Sequence, residues 1–238
     1  IDNAAINGNG DYGVNINASK NVAVTENTTI SANKNCGIRI AGSEEVSVKN
    51  AVISKNAKSG IAVTSSKKIT ISDATVNNNG TDSRDYGINL NGVDTATVTN
   101  VTASSNSSHG LLITTSKGIN VSGSTFNTSA GGYGIYCNDK TEAVFNNVIC
   151  QQNYWSGMSM SDIGTKVTVT GGEYSKNGTR PDVKEDDDTT CAGIGAYNGA
   201  TLTATNVVCK NNHGCGIALT GTKDKVVTSY LYGVTLND

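Results

Sequence analysis

Residues 106–121 read NSSHGLLITTSKGINV, and this stretch contains the pattern that decides the fold. Gly110 is followed by the apolar-x-apolar triplet Leu111-Leu112-Ile113, and a second alternating segment, Ile119-Asn120-Val121, begins six residues after Ile113. Alternation with a period of two is typical of a β-strand that has one buried and one exposed face. The stretch therefore predicts two short strands separated by a turn.

The same unit is repeated along the whole chain. Its glycine recurs at Gly13, Gly37, Gly60, Gly87, Gly110, Gly134, Gly157, Gly193 and Gly216. The steps between successive glycines are 24, 23, 27, 23, 24, 23, 36 and 23 residues. A regular period of this length is typical of solenoid proteins, in which each repeat packs only against its neighbours.

Each unit also contains a third inward position and a recurrent asparagine. The third apolar positions are Ile30, Ile53, Val76, Ala103, Phe126, Cys150, Tyr174 and Cys209. Three residues later come Asn33, Asn56, Asn79, Asn106, Asn153, Asn177 and Asn212, with Ser129 in the remaining unit. Stacked asparagine side chains can hydrogen-bond along a solenoid. Three short strands per unit predict an all-β fold, a single-stranded right-handed parallel β-helix of about nine coils of 23–24 residues.

Composition agrees with a narrow core and excludes several partners. The chain has 27 glycines, 1 proline, 5% aromatic and 16% charged residues, so small β-branched side chains must fill the interior. The net charge of -2 and the lack of a Lys/Arg cluster disfavour nucleic acid as a partner. No apolar run approaches the roughly 20 residues of a transmembrane helix.

We expect residues 1–238 to form one β-helix domain that is a fragment of a longer protein. The repeat breaks off in mid-coil near Ile1 and Leu236, and bare solenoid ends present unpaired strand edges. Neighbouring domains or chains are therefore the expected partners at the open ends.

The six cysteines show no CxxC pair and no zinc spacing, so most are predicted to be buried thiols. Cys150 and Cys209 share a column but lie two coils apart, about 9.6 Å, which is beyond disulfide reach. Cys191 and Cys215 precede the glycines of adjacent coils and could pair.

Two insertions interrupt the same corner of the predicted solenoid, at residues 80–86 and 178–192. Insertions in a solenoid often map to functional loops on one side. The second contains the candidate metal ligands Asp182, Glu185, Asp186, Asp187 and Asp188. Clustered carboxylates suit Ca²⁺, although the run lacks the spaced loop of a calcium motif, and a solvated acidic loop is the simpler explanation. The fold itself requires no cofactor.

Aromatic side chains collect at the same corner. The candidate substrate-binding residues are Tyr86, His109, Tyr133, Tyr136 and Trp155. Because the coils stack in register, four of them (Tyr86, His109, Tyr133, Trp155) are expected to form a line of rings about 5 Å apart. Flat rings with polar tips suit a polysaccharide, whose sugar faces stack while its hydroxyls hydrogen-bond. Ring stacking that only stabilises the solenoid is the alternative.

Candidate catalytic residues are few. Asp139 and Asp162 follow the Gly-apolar strands of adjacent coils and could lie side by side, and acid/base glycoside cleavage needs two carboxylates at a defined separation. His109 is the third candidate, although a lone histidine at a turn is more often structural.

The units resemble the parallel β-helix repeat family of carbohydrate-binding proteins and sugar-active enzymes, and the resemblance covers nearly the whole chain. Tyr86-Gly87-Ile88-Asn89-Leu90-Asn91 is similar to the alginate epimerase motif Y-G-F-D-P-H. Asn89 and Asn91 stand where that motif has its catalytic Asp and His, so only Tyr86 carries over. His109-Gly110 resembles the H-G of polygalacturonases, whose N-T-D and D-D motifs are absent here.

The resemblance implies that the protein binds or acts on carbohydrate, but it indicates no mechanism. The first hypothesis is an extracellular or cell-surface module that recognises polysaccharide along the inserted corner. One alternative is a polysaccharide lyase, hydrolase or epimerase with a divergent site, and another is a passive stalk or adhesin segment. Threonines on alternate strand positions raise ice binding as a fourth reading, although threonine is common in strands for reasons of propensity alone.

Overall fold

The computed structural model describes residues 1–182 and 190–237, and every regular element in these ranges is a β-strand. In chain order the strands are β1 (Ala5–Asn7), β2 (Val14–Asn17), β3 (Lys20–Val24), β4 (Thr29–Ser31), β5 (Ile38–Ala41), β6 (Glu44–Lys49), β7 (Val52–Ser54), β8 (Ile61–Thr64), β9 (Lys67–Ser72), β10 (Thr75–Asn77), β11 (Ile88–Asn91), β12 (Asp94–Thr99), β13 (Leu111–Thr114), β14 (Lys117–Ser122), β15 (Ile135–Asn138), β16 (Glu142–Asn146), β17 (Ile149–Gln151), β18 (Met158–Ser161), β19 (Lys166–Thr170), β20 (Glu173–Ser175), β21 (Ile194–Tyr197), β22 (Thr201–Thr205), β23 (Val208–Lys210), β24 (Ile217–Thr220), β25 (Thr228–Tyr232) and β26 (Thr235–Asn237). No helix in the described part of the chain is long and apolar enough to cross a membrane.

The strands form a parallel solenoid of about nine turns, as the sequence predicts. The first sheet, nine strands in the order β2-β5-β8-β11-β13-β15-β18-β21-β24, contains the Gly-apolar strands. The second sheet, also of nine strands, runs from β3 to β25. The third column consists of two four-stranded sheets, β1-β4-β7-β10 and β17-β20-β23-β26. Single bridges at Thr102 and Thr125 connect them.

The core is one continuous cluster of apolar side chains that come from all three columns of strands. Ile38, Ile61, Ile88 and Leu111 pair in register in the first sheet, and none has exposed surface. In strands such as β2, β11 and β13, buried residues alternate with exposed or half-buried ones, so that each strand has a buried and an outward face. Tyr174 is the largest fully buried side chain, and its hydroxyl has no hydrogen-bond partner.

Glycine begins each first strand because the coils approach too closely there for a side chain. A Cβ at Gly60 would lie 2.8 Å from the Gly87 carbonyl oxygen and 2.9 Å from Asn79 Nδ2, and would overlap Val76. The same three kinds of neighbour surround most of the equivalent glycines. Space rather than a positive φ therefore requires glycine in this column.

A left-handed residue makes the corner after most first and second strands. After the first strand this position is taken by Ala18, Ser65, Thr115, Asp139, Asp162 and Asn198, with φ values between 46° and 83°, and by Gly42 and Gly92. Lys140, which follows Asp139, is also left-handed. Asn50, Asp73 and Asn100 occupy the equivalent position after the second strand. Asparagine and aspartate tolerate this conformation better than other non-glycine residues, which explains part of the polar composition.

The predicted asparagine stack is present. The side chain of Asn33 donates from Nδ2 to Oδ1 of Asn56 at 2.8 Å, and Asn56 donates likewise to Asn79 at 2.9 Å. Each Nδ2 also donates to the third-column carbonyl of the coil before it, for example from Asn79 to Ile53 O at 3.0 Å. Ser129 interrupts the series, and its buried hydroxyl has no hydrogen-bond partner.

The first insertion is an ordered loop built around one buried carboxylate. Oδ2 of Asp85 accepts hydrogen bonds from the backbone amides of Thr81 and Asp82 at 3.1 and 3.0 Å. Lys58 Nζ lies 3.5 Å from the same oxygen. The loop thus satisfies a buried charge with local donors, as such charges require. Of the second insertion, residues 178–182 and 190–192 are described.

All six cysteines are free thiols. Cys150 and Cys209 both point into the core from strands that pair with β20, one on each side of Tyr174. The structure forms no disulfide between Cys191 and Cys215, where the sequence allowed one; Cys191 is buried and Cys215 is partly exposed.

We expect Ser129→Asn to stabilise the protein. The new Oδ1 would accept from Asn106 and the new Nδ2 would donate to Asn153, which adds about 1–2 kcal/mol if each net hydrogen bond contributes about 1 kcal/mol. Equilibrium urea unfolding measures the change. Ser129→Ala is the control, because it removes the unpartnered hydroxyl without continuing the stack; equal stability of the two variants would contradict the prediction.

Gly60→Ala should destabilise the fold by about 3 kcal/mol, the upper end of the cost of overpacking a well-packed interior. Gly10→Ala is the matched control, since a Cβ there has no heavy atom within 4 Å and the φ angle is not positive. Thermal unfolding of both variants gives the comparison. A Gly60→Ala protein as stable as the control would show that the coils can separate at this column at little cost.

Candidate functional site

Three rings stack along the outer surface at the corner before the first sheet. Tyr86, His109 and Tyr133 each precede the glycine of successive coils. The Tyr86 and His109 ring centroids are 5.4 Å apart at 10°, and those of His109 and Tyr133 are 5.3 Å apart at 21°. Tyr136, on the outward face of β15, lies 5.4 Å from His109 and 5.3 Å from Tyr133. We call Tyr86, His109, Tyr133 and Tyr136 the ring cluster.

Trp155 does not continue this line, so the expected row of four rings is corrected to three. Tyr133 directly precedes Gly134, whereas Ser156 stands between Trp155 and its glycine, which puts Trp155 one position out of register. Its ring instead meets Tyr154 edge to face at 5.5 Å, and the Arg180 guanidinium lies 4.2 Å from its centroid.

His109 is held between the two tyrosine rings as a neutral imidazole. Its Nδ1 accepts a hydrogen bond from the Tyr133 backbone amide at 2.9 Å, so the neutral ring carries its proton on Nε2. Burial lowers the pKa of His109 to about 4. At neutral pH this side chain can donate a hydrogen bond but is a weak base.

A cleft of about 180 Å³ lies beside the ring cluster, on the first sheet. Tyr133 and Tyr136 form one wall and Tyr197 the other, with Ser159 and Ser161 between them. Tyr197 folds back over Gly195, where a Cβ would overlap its ring. Glycine at this outward position is therefore what allows the third tyrosine to lie across the sheet.

The cleft is lined by neutral hydrogen-bonding groups. Asn198 Nδ2 donates to Ser161 Oγ at 3.1 Å. Burial raises the pKa of Tyr133 and of Tyr136, while hydrogen bonds with Ser159 and Ser161, respectively, oppose the shift. Burial also raises the pKa of Tyr197. All three phenols are consequently protonated at neutral pH and can donate hydrogen bonds.

Asp139 and Asp162 lie together, in the next groove along the same face. They occupy the left-handed corner after β15 and β18, one coil apart, and line a groove of about 460 Å³ with Lys140. Asp139 Oδ2 accepts from Thr114 Oγ1 at 3.1 Å. The pKa of Tyr136 is raised mainly by burial and by Tyr133. The negative charges of Asp162 and, to a smaller extent, Asp139 raise this pKa further.

Sequence reasoning missed half of this surface. Tyr197, Ser159, Ser161 and Asn198 were not among the predicted site residues, although each takes an outward or corner position of the first sheet. The sequence contained one sign of this arrangement. Gly195 is a glycine at the outward position of the first sheet, where the preceding coils have Leu112, Tyr136 and Ser159.

The predicted calcium ligands are only partly described. Asp182 Oδ1 lies 3.8 Å from Arg180 Nε, as an ion pair. Glu185, Asp186, Asp187 and Asp188 lie outside the described residues. Within residues 1–182 and 190–237, no three His, Cys, Asp or Glu side chains are grouped so that they could hold a metal ion.

The buried His109 predicts a pH dependence of stability. Its pKa falls from 6.5 in the unfolded chain to about 4 in the fold, so the unfolded state binds more protons between these values. Stability is full above pH 6.5 and falls as the pH drops toward 4, by roughly 3 kcal/mol from this group. His109→Asn keeps an acceptor for the Tyr133 amide but does not titrate. The difference in unfolding free energy between pH 7 and 4.5 should therefore be smaller in the variant; an unchanged difference would contradict this account.

Solved structures with this architecture act on polysaccharides of more than one kind. The alginate lyase from Paenibacillus sp. str. FPU-7 matches with a TM-score of 0.67 and 15% identity over 100% of this chain and 80% of that one. The periplasmic alginate epimerase AlgG matches with a TM-score of 0.65 and 12% identity over 90% of this chain and 55% of that one. Pectate lyase Pel9A matches with a TM-score of 0.57 and 13% identity over 91% of this chain and 61% of that one.

At these identities the likeness shows the fold alone, and the chain spans about half the length of the epimerase. No curated protein sequence matches the chain. A family model described as periplasmic copper-binding protein (NosD) matches residues 1–178.

The described residues do not fit a copper site. His109 already uses Nδ1 as an acceptor for the Tyr133 amide, and Cys137, Cys150 and Cys209 are enclosed in the apolar core. No group of three His, Cys, Asp or Glu side chains that could hold a metal ion occurs in the part of the chain that the structure describes. The family match nevertheless extends over three quarters of the sequence, and the chain belongs to the NosD family.

Proposed function

We propose that this protein recognises a polysaccharide outside the cytoplasm, on the surface formed by the ring cluster, the cleft and the carboxylate groove. The observation that carries the proposal is the arrangement of Tyr133, Tyr136 and Tyr197 around Ser159 and Ser161. Aromatic rings offer flat apolar faces to sugar rings, and the phenol hydroxyls and the exposed Asn198 amide offer donors and acceptors to sugar hydroxyls. Such a mixture suits carbohydrate better than an apolar ligand.

The comparisons support the proposal at a coarser level. The similar structures are, by their titles, an epimerase and a lyase of alginate and a lyase of pectate. The family is described as periplasmic, which agrees with a location in the cell envelope or beyond it. The half-buried tyrosines and the exposed Asn198 form an open surface above the buried Ser159 and Ser161, which an extended chain can cross without threading into a closed pocket.

Binding is favoured over catalysis at the ring cluster and the cleft by the protonation states of their side chains. His109 is neutral with Nδ1 already engaged, and burial raises the pKa of all three phenols, so none of these four groups is a good base at neutral pH. Among the described residues of the surface, the remaining groups that could act as a base are the carboxylates of Asp139 and Asp162 in the adjacent groove. Lyase and epimerase chemistry both require a base that removes a proton from the sugar.

Hydrolysis remains the second candidate because of one observation, the placement of Asp139 and Asp162 one coil apart. A single strand spacing of about 4.8 Å is close to the roughly 5–5.5 Å that separates the two carboxyl groups of retaining glycosidases. Reducing-end release from a panel of glycans tests it. Release that is lost in Asp139→Asn would establish an enzyme, whereas retention of glycans without release supports recognition.

Tyr136→Ala should weaken glycan affinity about tenfold, since an aromatic contact contributes about 0.5–1.5 kcal/mol beyond its area. Gly195→Ser should have a similar effect, because its side chain would displace the Tyr197 ring. Affinity electrophoresis in gels that contain alginate, pectin or neutral glucans measures retention. Tyr230→Ala is the control, as Tyr230 is 51% exposed on β25 of the second sheet. Unchanged retention in both site variants would favour a passive stalk.

A further inference from the structure

We infer that the glycan bound on this surface is uncharged, and that Asp139 and Asp162 accept hydrogen bonds from its hydroxyl groups. The inference rests on the proposed function and names its substrate class. It departs from the similar structures, whose titles name alginate and pectate, both polyanions. The reason is the distribution of charge along the described surface.

The cleft itself contains no formal charge among its described lining residues. Its polar groups are the three phenols, the hydroxyls of Ser159, Ser161 and Thr190, and the amide of Asn198. The nearest formal charges on the neighbouring groove are the carboxylates of Asp139 and Asp162 and the ammonium of Lys140. The groove therefore carries two negative charges and one positive charge.

Two further cations lie near the described surface. Arg84, beside Tyr86, is accompanied by the carboxylates of Asp82 and Asp85, and Arg180, beside Trp155, is already engaged. The Arg180 guanidinium lies 4.2 Å from the Trp155 ring centroid, and its Nε is 3.8 Å from Asp182 Oδ1. A polyuronate places a carboxylate on every sugar, and each needs a cation or a row of N–H donors. The described surface offers that chain repulsion from two carboxylates instead.

Both carboxylates retain capacity to accept hydrogen bonds. Asp139 accepts one bond from Thr114 Oγ1 and Asp162 accepts one from Ser161 Oγ at 3.3 Å. An ionised carboxylate has about four acceptor positions, and its bonds from hydroxyl groups are shorter and stronger than neutral ones. Two adjacent hydroxyls of a neutral sugar can therefore bind each aspartate.

A purely structural role for these residues makes a different prediction. Asp139 and Asp162 have φ angles of 52° and 83°, a conformation that asparagine adopts at least as readily. Replacement by asparagine therefore keeps the corner and its geometry but removes the charge. If the aspartates served only the backbone, the replacement would leave glycan affinity unchanged.

The test is a binding panel of oligosaccharides of equal length. It contains uncharged cello-, xylo- and N-acetylchito-oligosaccharides, anionic alginate and galacturonate oligosaccharides, and fully methyl-esterified galacturonate as the uncharged partner of the last. We expect the tightest ligand to be uncharged, and the methyl ester to bind at least about fivefold tighter than the free acid at low salt. Salt should strengthen binding of the acid, because it screens the repulsion.

The double variant Asp139→Asn/Asp162→Asn should weaken the uncharged ligand about fivefold and strengthen the anionic one. Asp73→Asn is the matched control, since Asp73 has a φ of 52° at the corner after the second strand, away from the cleft. An anionic ligand that binds tightest and is weakened by salt would overturn the inference and leave the proposed function standing. Failure of every glycan to bind would remove the proposed function, and the inference with it.

Discussion

The close contact between successive coils at the glycine column is the constraint on which the whole structure depends. The carbonyl of one glycine, the asparagine side chain and the third-column apolar residue all occupy the space where a Cβ would lie. Only with that space left empty can three strands per turn pair with their equivalents at one strand spacing. Register then follows for every other column, including the outward residues that form the candidate site.

Much of the fold could be predicted from the sequence because, in a solenoid, residues one repeat apart in the sequence lie next to each other in adjacent coils. Ile38, Ile61, Ile88 and Leu111 stack in the structure as their spacing from glycine indicates. The failure at Trp155 has the same origin. Aromatic residues near a glycine were treated as equivalent, although Ser156 shifts Trp155 by one position, and in a solenoid one position changes the direction of a side chain completely.

The missed residues illustrate a different limit. Tyr197 reaches the site by lying across Gly195, and no periodicity reports how a long side chain folds over its own strand. Ser159 and Ser161 are common residues in a chain rich in serine, so composition hides them. Asp139 and Asp162 were identifiable, yet the same corner position favours aspartate for backbone reasons, and sequence alone does not separate the two explanations.

The break at Ser129 coincides with other weak points of the solenoid. The third column loses its regular strands at Thr102 and Thr125, and the asparagine stack ends between Asn106 and Asn153. In a one-dimensional array, cooperativity is lost where the coupling between neighbouring repeats is weakest. The first and second sheets continue through this region, so that only the third column is interrupted, and the stacked rings of Tyr86, His109 and Tyr133 lie on the coils concerned. A ligand bound across these rings would add contacts between coils where the third column has single bridges in place of strands.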